Sequence, residues 1–238
     1  ICKKHNLNLI EDTAWGCGGS LDNKKLGTFG QIGTFSFDFA KTMTTGEGGM
    51  LVFKTKEHYE KGSAWHDHGH ENNPLYPRWE DTRRTSGFNF RMTELQGGVG
   101  IAQLKKLHKV IESQRNNKFA IKKELEKIKD IEFREIPKGS YETADALIFF
   151  TKNKNTAINC RNELIAAGLN TKILPEAYTW HYAGTWDHIK EISEKNPNFK
   201  KDLKPSHDLL SKAVSIPITV KMNKEYPNII KKAVIDAI

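Results

Sequence analysis

Three short apolar runs, Leu7 to Ile10, Ile32 to Phe37 and Met50 to Phe53, each open into a polar or glycine-rich stretch. They are too short for stable helices and read as strands. The first delivers the acidic pair Glu11 and Asp12 to the small-residue stretch Gly16 to Ser20, and Thr44 to Gly49 separate the second run from the third. Strands with such ends are the pattern of an open sheet whose ligand sits at the strand ends, or of a small all-β unit. The next segment favours the open sheet. Thr93 reads as an N-cap before Glu94, Leu95 and Gln96, and Val99, Leu104, Leu107 and Val110 then fall on roughly one helical face. The expected class is α/β.

Lysine-rich sequence from Glu112 to Lys129 continues as one or two helices, and Pro137 and Gly139 mark a turn. A boundary is expected near residue 115, dividing the chain into 1–115 and 116–238. In the second part Ala146 to Thr151 reads as a strand and Ala157 to Ala167 as a helix closed by Gly168. A last helix begins at Glu225 or Tyr226 with Pro227 in its first turn. This is a small α+β domain. The chain opens on Ile1, and Cys2 to Asp12 read as the end of a helix running into a strand, so the first domain is expected to be incomplete at its N-terminus.

The 238 residues are only 37% apolar, yet 12 Phe, 6 Tyr and 5 Trp supply bulky core material. No apolar run approaches the ~20 residues of a membrane span. Cys2, Cys17 and Cys160 cannot all pair internally and have no metal-ligand spacing, which points to a reducing cytoplasm. The net charge of +8 suits an anionic small molecule. Its lysines and arginines are dispersed rather than gathered with a groove-binding motif, which argues against nucleic acid.

The most informative residues come in order: Glu11-Asp12-Thr13-Ala14; Gly30; Ser36-Phe37-Asp38-Phe39-Ala40-Lys41; Thr45-Gly46-Glu47-Gly48-Gly49; and Gly87-Phe88-Asn89-Phe90-Arg91-Met92-Thr93-Glu94-Leu95-Gln96. This set resembles the DegT/DnrJ/EryC1/StrS aminotransferases, which act mainly on keto-sugars, and Ser215-Ile216-Pro217-Ile218 extends the likeness towards the C-terminus. The resemblance implies an aspartate-aminotransferase-like large domain, type I among pyridoxal-phosphate-dependent transferases. It implies pyridoxal 5'-phosphate as cofactor, carried covalently by Lys41, whose amine suits both attack on the cofactor aldehyde and later proton movement. By the same likeness Asp12 faces the pyridine nitrogen, Ser36 contacts the phosphate, and Asn89 reaches the phosphate of a neighbouring subunit's site in a homodimer. Arg91 is expected near phosphate or substrate charge, or as an anchor for the following helix. Family members commonly carry Gln or His three positions after the aspartate, where this chain has Trp15. Indole can donate a hydrogen bond there but cannot accept the same in-plane one.

The segment Trp180 to His188 is similar to a loop in the aminotransferases that make 8-amino-3,8-dideoxy-manno-octulosonate, and with it come His181 and His188 as substrate contacts and glutamate as amino donor. A 3-keto or 4-keto nucleotide sugar is the alternative, equally anionic, and a catalytically silent module of the same fold is a third reading. His66, His68 and His70 alternate without an accompanying thiol or acidic signature, so they are expected to line a loop, an entrance or a subunit contact rather than bind metal. Cys17 is expected to be a packed side chain.

Overall fold

The computed structural model describes residues 1–171 and 182–238. These divide into two compact units. One comprises Ile1–Ile111 with Pro137–Thr143, the other Glu112–Ile136 with Ala144–Ile238.

In the first unit, strands β1 (Ile10–Asp12), β4 (Ile32–Ser36) and β5 (Gly49–Phe53) form one sheet in the order β1-β4-β5. Strands β1 and β4 run parallel with Asp12 opposite Thr34, whereas β5 returns antiparallel with Gly49 opposite Ser36. The parallel pair therefore ends at one edge, where Asp12 and Ser36 are the last strand residues. The first strand lies later than the apolar run Leu7 to Ile10 suggests. Pairing with β4 begins at Ile10 opposite Ile32, and the Leu9 amide donates instead to the Gln31 side chain at 2.7 Å.

Between β1 and β4 the chain inserts a hairpin of β2 (Ser20–Leu21) and β3 (Lys24–Lys25), to which β7 (Ser140–Tyr141) adds a third strand. Asp22 and Asn23 turn it with φ of 47° and 63°, the left-handed pair that a two-residue hairpin requires. Close backbone packing fixes β4 from the same side. A Cβ on Gly33 would lie 2.1 Å from the Gly27 carbonyl oxygen, so no larger residue fits without moving that loop.

Helix α1 (Lys56–His66) is capped by Thr55, whose hydroxyl accepts the His58 amide. Helix α2 (Glu94–Leu125) begins with the expected capping box: the Gln96 amide donates to Thr93 Oγ1 and the Thr93 amide to Gln96 Oε1. It continues unbroken to Leu125 as one helix. Its Leu107 and Ile111 join Phe37 and Met43 in the buried core of the first unit, with Phe35, Met92 and Cys17 packed around them. The packed role expected for Cys17 fits, and burial pushes its thiol above the ordinary range.

In the second unit, β6 (Ile131–Phe133), β8 (Ala146–Thr151) and β9 (Ala213–Pro217) form an antiparallel sheet with β8 at its centre. Helix α3 (Lys154–Ala166) starts earlier than its apolar pattern indicates, because Asn153 caps it by accepting the Thr156 amide. Gly168, at φ 80°, follows its end. After a 3-10 turn at Ala183–Thr185 come α4 (Lys190–Lys195), α5 (Phe199–Asp202), α6 (Lys204–Leu210) and the terminal α7 (Tyr226–Ala237), with Pro227 in its first turn. Phe149, Leu125, Leu147, Leu164, Val214, Ile230 and Val234 are almost wholly buried in this unit's core. Among the described residues no helix is long and apolar enough to cross a membrane.

Candidate active site

The residues with the strongest chemical claim gather where β1 and β4 end. After Ser36 the chain leaves the sheet, and Asp38 organises the turn that follows: its Oδ1 accepts the Ala40 amide at 2.7 Å and its carbonyl accepts the Lys41 amide at 3.2 Å. The Ser36 hydroxyl lies 3.5 Å from both the Asp38 carboxylate and the Asp38 amide. Lys41 is thus brought back over the sheet edge with only 11% of its side chain exposed. Its Nζ stands 3.7 Å from Asp38 Oδ2 and 3.8 Å from the centroid of the Trp15 ring.

Trp15 reaches this position from the other strand. Asp12 closes β1 and its Oδ1 accepts the Ala14 amide, which starts the turn; the Gly16 amide donates to the Thr13 carbonyl, and Thr143 Oγ1 donates to the Trp15 carbonyl at 3.2 Å. The Asp12 carboxylate remains open to solvent. Its neighbour Glu11 serves the backbone instead. The two Glu11 oxygens accept the amides of Gly27, Phe29 and Gly30 at 2.6 to 2.8 Å, tying the loop before β4 to the end of β1. The sequence shows an acidic pair, and the structure separates it into one structural and one available carboxylate.

The loop after Lys41 is held by its own backbone and by α2. The Thr45 amide donates to the Phe37 carbonyl, the Phe37 amide to the Gly48 carbonyl, and Gln96 Nε2 to the Glu47 carbonyl at 2.8 Å. Gly48 sits at φ 147°, and a Cβ there would meet Thr45 Oγ1 at 2.7 Å and Met92 Cε at 2.9 Å. That positive φ is what favours glycine there.

Asn89 lies on an exposed stretch that bridges back to Asp67. Arg91 is engaged: its Nη1 donates to Asp67 Oδ1, and Arg78 donates to both oxygens of the same carboxylate at 2.8 and 2.6 Å. The Arg78 hydrogen bonds, with that of Arg91 behind them, hold the buried Asp67 carboxyl far below the usual carboxylate range. The Arg91 guanidinium is thus paired with Asp67 rather than free. Sequence reasoning gave no role to Asp67, whose partners Arg78 and Arg91 are placed by the fold, nor to Asp38, although its partners Ser36, Ala40 and Lys41 are local.

Of the three alternating histidines, His66 Nδ1 meets the Ser63 carbonyl at 2.6 Å, and His68 takes a left-handed φ of 54°. His70 is buried, with Arg83 Nη2 at 3.0 Å from Nε2 and Asp81 Oδ2 at 3.4 Å from Nδ1. Since guanidinium can only donate, Nε2 is the acceptor and Nδ1 carries the proton. They brace the segment that leads to Asn89. His188 is exposed and belongs to the second unit, whereas His181 lies outside the described residues.

Comparison with known proteins places this geometry in a family. The model of the DegT/DnrJ/EryC1/StrS aminotransferase family matches residues 1–234. The GDP-perosamine synthase of Escherichia coli O157:H7 is 31% identical over 232 residues, covering 95% of this chain and 60% of that protein. Among solved structures, an aminotransferase from Psychrobacter cryohalolentis superposes with a TM-score of 0.83 at 22% identity, covering 98% of this chain and 62% of the other. The E. coli GDP-4-keto-6-deoxy-D-mannose-3-dehydratase with bound hydrated pyridoxal phosphate gives a TM-score of 0.80 at 20% identity, with 98% and 61% covered. The chain therefore spans about 60% of the length of these relatives. The fold is the expected α/β, aspartate-aminotransferase-like architecture with a smaller C-terminal part, and the chain belongs to the DegT/DnrJ/EryC1/StrS aminotransferase family.

Proposed function

We propose that the protein containing this chain is a pyridoxal-phosphate-dependent aminotransferase acting on a keto-sugar carried by a nucleotide. The observation that carries this reading is the sheet edge at which a sheltered amine, Lys41, meets the ends of two parallel strands bearing Asp12 and Ser36. That donor set fits the cofactor. An amine suits its aldehyde, an open carboxylate its ring nitrogen, and a hydroxyl its phosphate. When bound, the cofactor supplies an electron sink for charge developed at the substrate carbon bearing nitrogen.

In this reading Lys41 holds the cofactor between turnovers and then, released, moves the proton at the substrate carbon. Asp12 keeps the ring nitrogen protonated through a charge-assisted hydrogen bond, and Ser36 donates to the phosphate. Arg91 acts at one remove, by fixing the segment that carries Asn89. Asn89 itself is exposed, which supports its reaching a neighbouring subunit's phosphate in a homodimer. We take residues 1–115 as part of a larger cofactor-binding domain and 116–238 as the small domain. The division of the structure between Ile111 and Glu112 supports that boundary, with Pro137–Thr143 returning to the first unit. Three unpaired cysteines support the cytoplasm as its compartment.

Two of the relatives named above, GDP-perosamine synthase and GDP-4-keto-6-deoxy-D-mannose-3-dehydratase, are named for GDP-linked sugars. This favours a nucleotide sugar over the octulosonate suggested by Trp180 to His188, a segment only partly within the described residues. Glutamate is the proposed amino donor. The decisive comparison is amino transfer from glutamate to 3-keto and 4-keto nucleotide sugars and to the 8-oxo octulosonate, with full-length protein of measured cofactor occupancy. Preferred turnover of a nucleotide sugar, abolished in Lys41→Ala, is expected. Turnover of the octulosonate alone would overturn the substrate class and leave the chemistry standing.

A further inference from the structure

The contact between Lys41 and Trp15 has no part in the chemistry above, and the family pattern commonly has Gln or His where Trp15 stands. Both sides of the contact are fixed independently. The backbone of Trp15 is pinned by the Thr13 turn and by the Thr143 hydroxyl, and that of Lys41 by the Asp38 carbonyl. Lys41 Nζ then rests between one carboxylate oxygen, 3.7 Å away, and the centre of the indole ring, 3.8 Å away. Ring faces attract cations, and a carboxylate does so more directly. Trp15 is itself about half exposed.

We propose that Trp15 is a positioning residue that seats the unlinked Lys41 amine, holding it over the sheet edge whenever the lysine is not bonded to cofactor. The inference rests on Lys41 being the cofactor-bearing lysine. Transamination requires the lysine to leave and return within each cycle, and a fixed seat keeps the released amine beside the site rather than free to swing into solvent. The seat must be vacated for linkage. The lysine nitrogen then bonds the aldehyde carbon, the aldehyde oxygen leaves as water with two of the ammonium protons, and the third proton passes to solvent. Because the seat stabilises only the unlinked state, it weakens covalent capture of an aldehyde cofactor without weakening recognition of ring and phosphate.

The proposal is tested by comparing the affinities of pyridoxal 5'-phosphate, which can link to Lys41, and pyridoxine 5'-phosphate, which cannot. The measurements use full-length wild type, Trp15→Leu and Trp15→Phe. A cation over an aromatic ring is worth about 0.5 to 2 kcal/mol, so losing the seat should raise the preference for the aldehyde over the alcohol by roughly 2- to 30-fold in Trp15→Leu. Trp15→Phe, which keeps a ring face, should stay near wild type. Pyridoxine phosphate binding also reports whether each variant is folded.

Equal loss of both affinities in Trp15→Leu, with an unchanged ratio, would overturn the proposal and make Trp15 a wall of the cofactor site. An unchanged ratio with unchanged affinities would overturn it as well. Borohydride trapping in wild type separates failure of the underlying assignment: an adduct absent from Lys41 removes the cofactor-bearing lysine itself, whereas an adduct on Lys41 with no change of ratio removes only the seat.

Discussion

At Asp67 two guanidinium groups converge on one buried carboxylate, and the consequence is a specific dependence on pH. The Arg78 hydrogen bonds, with that of Arg91, depress the folded-state pKa, so this contribution to stability is fully present above the ordinary carboxylate value of ~3.9. It is lost progressively as the pH falls below that value. Asp67→Asn should destabilise the fold at neutral pH by about 1–3 kcal/mol, towards the lower end because both arginines remain partly solvated. In urea unfolding, the gap between wild type and variant should shrink between pH 7 and pH 3. A gap that stays constant would mean that the carboxylate charge is not what matters there. At this scale legibility depends on sequence distance. Asp12, Ser36 and Lys41 stand in short local motifs, so the family likeness singles them out. Asp67 sits beside histidines, and its partners Arg78 and Arg91 come from later in the chain, so nothing local marks it as an anchor.

Among the elements, β8 shows what a clear apolar signal can deliver. The run Ala146 to Thr151 reads as a strand and forms one over those bounds, paired with β6 on one side and β9 on the other. Phe149 within it is wholly buried. Phe149→Ala should cost about 3–5 kcal/mol, read as a lowered urea midpoint with an unchanged slope; a loss below about 1 kcal/mol would show that the core collapses around the cavity. The sheet of β2, β3 and β7 has no such signal. Strands of two residues carry no periodicity, and β7 is contributed from far along the chain. Only the Asp22-Asn23 pair hints at a hairpin. The helices are legible where caps mark them, as at Thr93, but α3 begins before its first buried residue because Asn153, not the apolar pattern, sets its start.

For the whole molecule, the fold class and the family follow from the order of motifs, and the substrate does not. Sugar recognition has its sequence candidate in Trp180 to His188, where composition alone does not distinguish a binding loop from packing. The proposed homodimer can be checked at this scale by mixing Lys41→Ala and Asn89→Ala chains. One site of the mixed dimer would then carry both defects and the other neither, so activity above that of either parent is expected. No recovery in verified mixed dimers would confine Asn89 to its own subunit's site. The central claim, however, is covalent and local. Borohydride reduction of full-length protein incubated with pyridoxal 5'-phosphate, followed by peptide mass analysis, should place the adduct on Lys41 and lose it in Lys41→Ala. An adduct confined to another lysine in the wild type would contradict the account.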